Sequence, residues 1–327
     1  MKAAAAPLEV KSLTKRFAVG SAIRRRAHVY AVDDVSFELR PGRITALVGE
    51  SGSGKSTVAR LLARLYEPSA GEVLFEGSDV SRVRKRRDVL HYRSQVQMIF
   101  QDPFGSLNPV KTVRHHVERP LRIHRVVPSS QVEERVHELL RTVGLVPPED
   151  VAAKYPHELS GGQRQRVSIA RALAVEPKVV LADEPISMLD VSIRIGILNL
   201  MTKLKEERGI AFLYVTHDLA SARYVADDIL VMYAGQIVEH GPIEEVLSAP
   251  LHPYTRLLLE SAPDPGAKVH EIELRKGDAS AAVDPGAGCR FRARCPLAID
   301  VCSQVTPELV EARSQHAARC HVTAPAP

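Results

Sequence analysis

The stretch Ile44–Tyr66, "ITALVGESGSGKSTVARLLARLY", decides the fold because three structural signals follow one another in it. Ile44–Val48 is a short apolar run with the composition of a buried strand. A glycine-rich segment, Gly49–Lys55, comes next, and Ser56–Leu65 then has the periodicity of a helix. A strand, a G-x-x-x-x-G-K-S/T loop and a helix in this order predict a phosphate-binding loop.

The residue types of this loop favour a nucleoside triphosphate with Mg²⁺ as the ligand. Three glycines, Gly49, Gly52 and Gly54, let backbone N–H groups point at phosphate oxygens, and the following helix adds the positive end of its dipole. Lys55 can reach the β- and γ-phosphates, and Ser56 offers a hydroxyl to Mg²⁺. A chance glycine-rich turn is the alternative, but it does not explain the strand and helix on either side.

A second apolar run, Val179–Ala182, ends in two carboxylates. Asp183 would then lie at the carboxyl end of a strand, where it can hold the water shell of Mg²⁺. Glu184 is placed to polarise an attacking water. The alternative, two carboxylates that only cap a strand, fits less well in a chain with a phosphate-binding loop.

The stretch "ELSGGQRQRVSIARAL" predicts a second helix N-terminus rich in backbone N–H groups, with Ser160, Gly161 and Gly162 before a helix that starts near Gln163. One triphosphate does not need two such cradles from one chain. The simplest explanation is a head-to-tail dimer in which this second cradle closes on the ATP of the partner chain.

With these motifs in this order, the chain resembles the ATPase subunits of ABC transporters over roughly Leu8–Pro263, and Leu159–Gln163 matches their LSGGQ signature. The resemblance implies an α/β fold, namely a P-loop NTPase core of ABC type with a mainly parallel sheet, a β-rich flank and a helical subdomain. It also implies ATP hydrolysis with Mg²⁺, and the strand–helix alternation of the chain agrees with such a sheet.

The resemblance carries over to single residues. Gln101 matches the lid glutamine, Asp190 ends the SMLD loop, and His217 matches the switch histidine at the γ-phosphate. Phe17 matches the aromatic residue that stacks on adenine, with Tyr30 as a weaker candidate. The implied catalytic residues are Glu184, His217 and Lys55, and the implied Mg²⁺ ligands are Ser56, Gln101 and Asp183. The implied ATP contacts are Phe17, Gly49, Ser51, Gly52, Ser53, Gly54, Lys55, Ser56, Thr57, Gln101, Ser160, Gly161, Gly162, Gln163 and Asp190.

Three features resemble the oligopeptide and dipeptide importers, with nickel importers as close relatives: "QDPFGSLNPVKTV" from Gln101, "LHPYTRLLL" from Leu251, and a cysteine-containing tail. This implies import of di- or oligopeptides, with nickel or another small solute as the alternative cargo. The implied partners are two integral-membrane permease subunits and a second, homologous ATPase subunit in a heterodimer. An extracytoplasmic binding protein would take part indirectly, and the chain would lie at the cytoplasmic face of the membrane.

All four cysteines lie in the tail, as Cys289-x₅-Cys295-x₆-Cys302-x₁₇-Cys320. In a reducing compartment, a cysteine group of this kind is more often a metal site than a set of disulfides. The spacing differs from the ferredoxin patterns and lacks the C-x₂-C pairs of structural zinc sites. The resemblance favours a 4Fe–4S cluster on these thiolates, with zinc and no metal as the alternatives.

The composition shifts predict the domain boundaries. An ABC-type ATPase domain is expected at 8–262, with its helical subdomain at about 103–175. A linker rich in Ala, Asp, Gly and Pro is expected at 263–285, and the cysteine-containing domain at 286–323.

Composition restricts the other functional classes. With 327 residues, 45% of them hydrophobic, and a net charge of +5, the chain is expected to be globular, and no apolar run is long enough for a membrane span. The basic runs Arg24–Arg26 and Arg82–Arg87 favour a solvated surface, or contact with anionic headgroups, over nucleic acid, because no aromatic residues interleave them. Soluble ABC ATPases of DNA repair or translation remain an alternative, although the inserted modules or second core typical of them are not seen.

Overall fold

A computed structural model describes residues 5–19, 27–261 and 282–324. The basic run Arg24–Arg26 and residues 263–281 of the expected linker lie outside the described residues.

Within these ranges the strands are β1 (Leu8–Val19), β2 (Ala27–Leu39), β3 (Ile44–Val48), β4 (Ala70–Phe75), β5 (Ser78–Asp79), β6 (Val96–Ile99), β7 (Val179–Asp183), β8 (Ala211–Thr216), β9 (Asp228–Tyr233), β10 (Gln236–Pro242), β11 (Val310–Arg313) and β12 (His316–Ala318). The α-helices are α1 (Lys55–Leu62), α2 (Arg86–Gln95), α3 (Pro103–Ser106), α4 (Val113–His124), α5 (Val132–Thr142), α6 (Pro148–Ala153), α7 (Gly161–Leu173), α8 (Val191–Arg208), α9 (Leu219–Val225), α10 (Ile243–Ser248), α11 (Pro253–Glu260) and α12 (Val301–Gln304).

The chain forms two compact units. The first unit comprises Met1–Leu8, Leu39–Ile44 and Phe75–Val215, and the second comprises Glu9–Glu38, Thr45–Leu74 and Thr216–Pro327. The phosphate-binding loop and the cysteine tail therefore belong to the second unit, and the LSGGQ helix belongs to the first.

Parallel strands form the centre of the first unit. β6 pairs with β7, and β7 pairs with β8, in parallel registers such as Leu181 opposite Leu213. Every residue of β7 and of β8 is buried. Their apolar runs do not alternate with polar residues because both faces of such a parallel sheet are covered. The carboxyl end of β7 is Asp183, which places this carboxylate at the edge where the strands end.

Helices α4–α7 pack on one another in the first unit through amphipathic faces. Helix α5 buries one apolar face, formed by Val132, Val136, Leu139 and Leu140. The side chain of Thr112 caps α4 by accepting from the backbone N–H of His115. These contacts hold the start of α7, and with it the signature, on a packed support.

The second unit contains two sheets. In one, β2, β1 and β4 are neighbours. In the other, β3 pairs in parallel with β9, β9 pairs with β10 in antiparallel fashion, and β12 pairs with β10 and with β11. The last part of the cysteine tail thus extends the sheet that begins at the phosphate-binding loop.

Candidate nucleotide-binding site

The phosphate-binding loop follows β3, which is buried along its whole length. Gly49 and Gly54 have φ angles of 150° and 108°. A Cβ atom would lie 2.1 Å from the carbonyl oxygen of Met232 at Gly49, and 2.0 Å from that of Ala31 at Gly54. Both positions therefore require glycine for its backbone freedom and for its lack of a side chain.

Two side chains of this loop, those of Ser53 and Lys55, are buried around the start of α1. Lys55 Nζ donates to the carbonyl oxygens of Gly49 at 2.7 Å and Glu50 at 2.9 Å. Ser53 is 5% exposed, and its Oγ has no hydrogen-bond partner among the described residues. Gly54, the N-cap of α1, provides no side-chain cap. The buried Ser53 hydroxyl would be satisfied by an anion, and a helix N-terminus without a side-chain cap is a favourable place for one.

The remaining loop residues and the expected adenine-stacking residues are more exposed. Ser51 and Gly52 are exposed, whereas Ser56 and Thr57 are half-buried in the first turn of α1. The ring of Phe17 is half-buried and lies edge to face with Tyr66, with a centroid separation of 5.6 Å. The other candidate, Tyr30, lies 5.7 Å from the guanidinium carbon of Arg16. Lys15 Nζ lies 5.2 Å from the centroid of the Phe17 ring. Each of the two aromatic rings therefore lies beside a cationic side chain.

In the first unit, three of the predicted residues lie at the carboxyl end of β7. Asp183 is buried, and the half-buried Glu184 has a left-handed backbone with φ of 44°. The backbone N–H of Glu184 donates to Val215 at 2.9 Å, and Gln101 Nε2 donates to Glu184 Oε2 at 2.8 Å. A non-glycine residue is strained in this conformation, and such strain occurs most often at functional sites. The structure brings Gln101 and Glu184 together as a hydrogen-bonded pair.

The signature forms the N-terminus of α7, which is capped by its own residues. Ser160 Oγ accepts from the backbone N–H of Gln163 at 3.3 Å, and Gln163 Oε1 accepts from the backbone N–H of Ser160 at 3.1 Å. This reciprocal pair is a capping box. A Cβ atom at Gly162 would lie 2.5 Å from Ile193 of α8, and one at Gly161 would lie 3.6 Å from Leu189. The glycines therefore let the signature approach the SMLD loop, which Asp190 ends as the exposed N-cap of α8.

His217 follows β8 directly and is exposed. The next residue, Asp218, donates its backbone N–H to Thr216 Oγ1 at 3.0 Å and accepts at its Oδ1 from the N–H of Ala220. Asp218 is thus the N-cap of α9, and this turn fixes the backbone at His217.

The four cysteines of the tail share one electrostatic neighbourhood. Burial raises the pKa of Cys289 to about 11, and the charges of the other three cysteines act in the same direction. Burial also raises the pKa of Cys295, with contributions from Cys320 and Cys302. All four are free of disulfides, and the backbone N–H of Cys289 donates to the carbonyl of Cys302 at 2.8 Å. In the described part of the chain, however, no group of three or more His, Cys, Asp or Glu side chains is arranged to hold a metal ion. The metal expected in the tail, iron–sulfur or zinc, gains no support from that geometry.

Sequence reasoning missed the contacts of the tail with the rest of the second unit. From sequence alone, arginines beside cysteines are expected to offset thiolate charge, but Arg290 and Arg294 pair with carboxylates elsewhere. Arg290 donates to Asp33 Oδ2, and both terminal nitrogens of Arg294 donate to the Glu50 carboxylate at 2.9 Å. The proximity of "RARC" to the cysteines suggested a local partner, and nothing in the sequence pointed to the phosphate-binding loop instead.

A second missed feature is the buried carboxylate of Glu239 in β10, which is 0% exposed. Its two oxygens accept from the backbone N–H groups of Leu251 and His252 at 2.7 and 2.8 Å. His316 of β12 contacts the same carboxylate through Nε2 at 2.7 Å. Glu239 therefore fastens both the "LHPYT" segment and the tail to the sheet, and His316 has this structural partner instead of a metal.

Comparison with known proteins identifies the family. Residues 32–187 match the family model described as ABC transporter, and residues 238–302 match the model described as oligopeptide/dipeptide transporter, C-terminal region. An oligopeptide transport ATP-binding protein of Bacillus subtilis, AppF, is 43% identical over 320 residues, which cover 96% of this chain and 97% of that protein. The chain belongs to the ATP-binding proteins of oligopeptide and dipeptide ABC transporters.

Other relatives agree with this assignment. The probable peptide ABC transporter ATP-binding protein y4tS of Sinorhizobium fredii is 44% identical over 98% of this chain and 90% of its own length. The ABC cassette MJ0796, in a dimeric post-hydrolysis state bound to ADP and Pi, is similar with a TM-score of 0.64 and 31% identity, over 72% of this chain and 98% of that one. The predicted α/β ABC-type fold and the prediction of an ABC-type ATPase are confirmed.

Membership of this ABC transporter family implies a membrane permease as partner. None of the described helices has the length and apolar character required to cross a membrane.

Proposed function

We propose that this chain is the ATP-hydrolysing subunit that powers import of di- and oligopeptides through a membrane ABC transporter, by ATP-driven closure of an ATPase dimer. The observation that carries the proposal is the 43% identity to an oligopeptide transport ATP-binding protein across 96% of the chain. That similarity extends beyond the ATPase core into the C-terminal region. Nickel or another small solute as cargo has no comparable support.

The phosphate-binding loop would bind ATP at the start of α1, beside the buried Ser53 hydroxyl. The uncapped start of α1 and the unpartnered Ser53 hydroxyl support a triphosphate in this position. Lys55 would exchange its two loop carbonyls for the β- and γ-phosphates, and Thr57 would contact the α-phosphate. Phe17 would stack on adenine, as the resemblance implies.

Hydrolysis would depend on oxygen ligands for Mg²⁺ and on one carboxylate that polarises the attacking water. Ser56, Gln101 and Asp183 offer a hydroxyl, an amide oxygen and a carboxylate, the oxygen ligands that Mg²⁺ takes. When bound, Mg²⁺ supplies positive charge against the β- and γ-phosphates. Glu184 would polarise the attacking water, with its carboxylate oriented by the Gln101 amide at 2.8 Å. His217 would contact the γ-phosphate from its exposed turn.

The signature would act on the nucleotide of a second subunit. Ser160, Gly161, Gly162 and Gln163 form a helix N-terminus whose exposed serine can reach another chain. Asp190, in the loop beside them, would communicate between the two sites. We favour a homologous ATPase as the second subunit, hence a heterodimer, on two permease subunits at the cytoplasmic face of the membrane. An extracytoplasmic binding protein would deliver the peptide.

The tail thiols, Cys289, Cys295, Cys302 and Cys320, would hold a 4Fe–4S cluster. Burial and the nearby thiols raise the pKa of Cys289 and of Cys295, so the four cysteines lie close together, as a four-thiolate group requires. The alternative of one zinc ion is less favoured because the spacing of these cysteines lacks the C-x₂-C pairs of structural zinc sites. The role of the cluster would be structural, because ATP hydrolysis contains no redox step.

Metal analysis tests the cluster separately from transport. Anaerobically purified protein is expected to be brown, with about four irons per chain and broad absorption near ~400 nm. The variant Cys302→Ser is expected to lose the iron. One zinc without iron contradicts the cluster, and four freely titrating thiols without metal contradict any metal in the tail.

Reconstitution tests the transport function. The chain, its partner ATPase and the permease subunits are placed in vesicles, and uptake of labelled di- and oligopeptides is followed with and without ATP. Uptake that requires ATP and stops with Glu184→Gln supports the proposal. Co-purification without any membrane subunit, or an assembled complex that moves nickel but no peptide, contradicts it.

A further inference from the structure

The segment that carries the first two cysteines packs directly on the phosphate-binding loop within the second unit. Both terminal nitrogens of Arg294 donate to the carboxylate of Glu50, one to each oxygen, at 2.9 Å. The Arg294 side chain is only 12% exposed. A bidentate fork of this kind fixes orientation as well as charge, and a lysine cannot reproduce it.

Glu50 is the second residue of the phosphate-binding loop and is held at each of its polar groups. Its backbone N–H donates to Tyr254 Oη at 2.9 Å, and its carbonyl accepts from Lys55 Nζ at 2.9 Å. Its carboxylate is held by Arg294. The lysine expected to bind phosphate and the arginine of the tail therefore contact the same residue.

The support behind Glu50 is a buried aromatic cluster of Tyr233, Tyr254 and Phe291. Tyr254 is 0% exposed, and its ring centroid lies 4.6 Å from that of Tyr233 and 5.5 Å from that of Phe291. The guanidinium carbon of Arg294 is 5.8 Å from the rings of both Tyr233 and Phe291. Phe291 belongs to the cysteine tail, so loss of the tail would remove part of this support.

A second chain of contacts reaches the loop from Arg290. Its guanidinium donates to the carbonyl of Ala234 and to Asp33. The next residue of that turn, Gly235, donates its N–H to the carbonyl of Ser53 at 2.9 Å and accepts from the N–H of Asp33 at 2.8 Å. Two tail arginines thus connect to both ends of the glycine-rich segment.

The charge of Glu50 gives the Arg294 contact a direct consequence for binding. A carboxylate in a phosphate-binding loop repels a triphosphate, and a paired guanidinium cancels most of that repulsion. An Arg294 substitution would leave the Glu50 charge uncompensated and would free the loop from its support.

We propose that Arg294 is a positioning residue for the nucleotide, which makes the cysteine tail and the phosphate-binding loop one coupled element. This rests on the proposed nucleotide-binding role of the loop. Because coupling between two sites is reciprocal, the tail strengthens nucleotide binding, and bound nucleotide stabilises the tail.

Equilibrium binding of a fluorescent ATP analogue to the full chain tests the proposal. Arg294→Ala is expected to weaken binding about tenfold, a typical coupling between sites, with Arg294→Lys in between. Arg292→Ala is the matched control, since Arg292 is exposed in the same segment and donates to the Cys289 carbonyl. It removes the same charge and is expected to change the Kd by less than about twofold.

The double variant Glu50→Gln with Arg294→Ala separates positioning from a general loss of structure. Removal of the unpaired carboxylate is expected to return the Kd to within about threefold of that of the unmodified protein, a non-additive result typical of residues in contact. A purely structural role of Arg294 would instead lower the melting temperature of each variant without a change in Kd. Nucleotide binding by Arg294→Ala equal to that of the unmodified protein overturns the proposal.

Hydrogen exchange on the unmodified protein keeps the test valid if Arg294→Ala fails to fold. A non-hydrolysable ATP analogue with Mg²⁺ is expected to slow amide exchange in residues 289–302. Unchanged exchange in this segment, in a protein that demonstrably binds the analogue, overturns the coupling. Failure of the unmodified protein to bind the analogue at all contradicts the proposed function itself.

Discussion

The N-termini of α1 and α7 are both expected to bind a phosphate group, but only that of α7 is capped by side chains. At α1, Gly54 gives no side-chain cap and the buried Ser53 hydroxyl lacks a partner among the described residues. At α7, Ser160 and Gln163 satisfy each other in a capping box. The first terminus is open to a ligand, and the second is closed on itself.

This difference assigns the two termini different roles. An anion at α1 meets a helix N-terminus that no side chain caps and the buried Ser53 hydroxyl, so this end is expected to bind nucleotide without help from a second chain. At α7, a phosphate has to compete with the Ser160 hydroxyl for the same backbone N–H groups. The signature is therefore expected to contribute only when a partner chain presents ATP at close range, as in a closed dimer.

The largest expected effect concerns Glu184→Gln, which removes the proposed base but leaves both helix termini intact. Turnover in the assembled transporter is expected to fall about 100- to 10,000-fold, the usual contribution of general acid–base catalysis. Nucleotide binding should persist and hold the dimer closed. Turnover close to that of the unmodified transporter would remove Glu184 from this role.

Lys55→Ala tests the open terminus. Loss of one charged hydrogen-bond donor at the phosphates is expected to weaken ATP binding about 10- to 100-fold in the isolated chain. Titration with a fluorescent nucleotide measures this effect. Retained affinity would mean that the uncapped end of α1 is not the phosphate site.

Gly54→Ala and Gly52→Ala separate steric fit from backbone freedom at the same terminus. Both glycines have positive φ, but only at Gly54 would a Cβ meet backbone, 2.0 Å from the Ala31 oxygen; at Gly52 nothing lies within 4 Å. Gly52→Ala is expected to cost about 1 kcal/mol, the usual cost of the left-handed backbone, and Gly54→Ala clearly more. Denaturant unfolding compares the two, and equal losses would contradict the close approach at Gly54.

Ser160→Ala has the smallest expected effect, because it removes one half of the capping box. The unfolding free energy of the isolated chain should fall by about 1 kcal/mol. Nucleotide binding by the isolated chain should not change. A stability equal to that of the unmodified chain would mean that the Ser160 cap contributes nothing in solution.

Local patterns of the sequence were sufficient for the elements that carry the site. Neighbouring residues alone predict the strands β3 and β7 from their apolar runs and the loop from the glycine spacing around Gly54. The periodicity of α5 likewise predicts a helix. The sequence predicts the helix α7, but the expected start near Gln163 is two residues late: the helix begins at Gly161, and Ser160 and Gln163 form its capping box.

Contacts between residues distant in sequence could not be predicted in this way. The sequence around Glu239 in β10 gives no sign that this carboxylate binds Leu251, His252 and His316. Arg294 lies 244 positions from Glu50 in the chain. A guanidinium beside a cysteine is equally compatible with solvent, a thiolate or a carboxylate, and only the folded chain distinguishes these partners.

The contrast between the two helix termini is tested most directly by measuring nucleotide affinity in the isolated, undimerised chain. Two single variants, Ser160→Arg and Lys55→Ala, are compared with the unmodified protein. We expect Ser160→Arg to bind the fluorescent ATP analogue within about twofold of the unmodified protein, as for a surface change remote from the ligand. Lys55→Ala should bind far more weakly. If Ser160→Arg loses as much affinity as Lys55→Ala, the signature contacts the nucleotide of its own chain, and the proposed division between an open and a self-capped terminus is wrong.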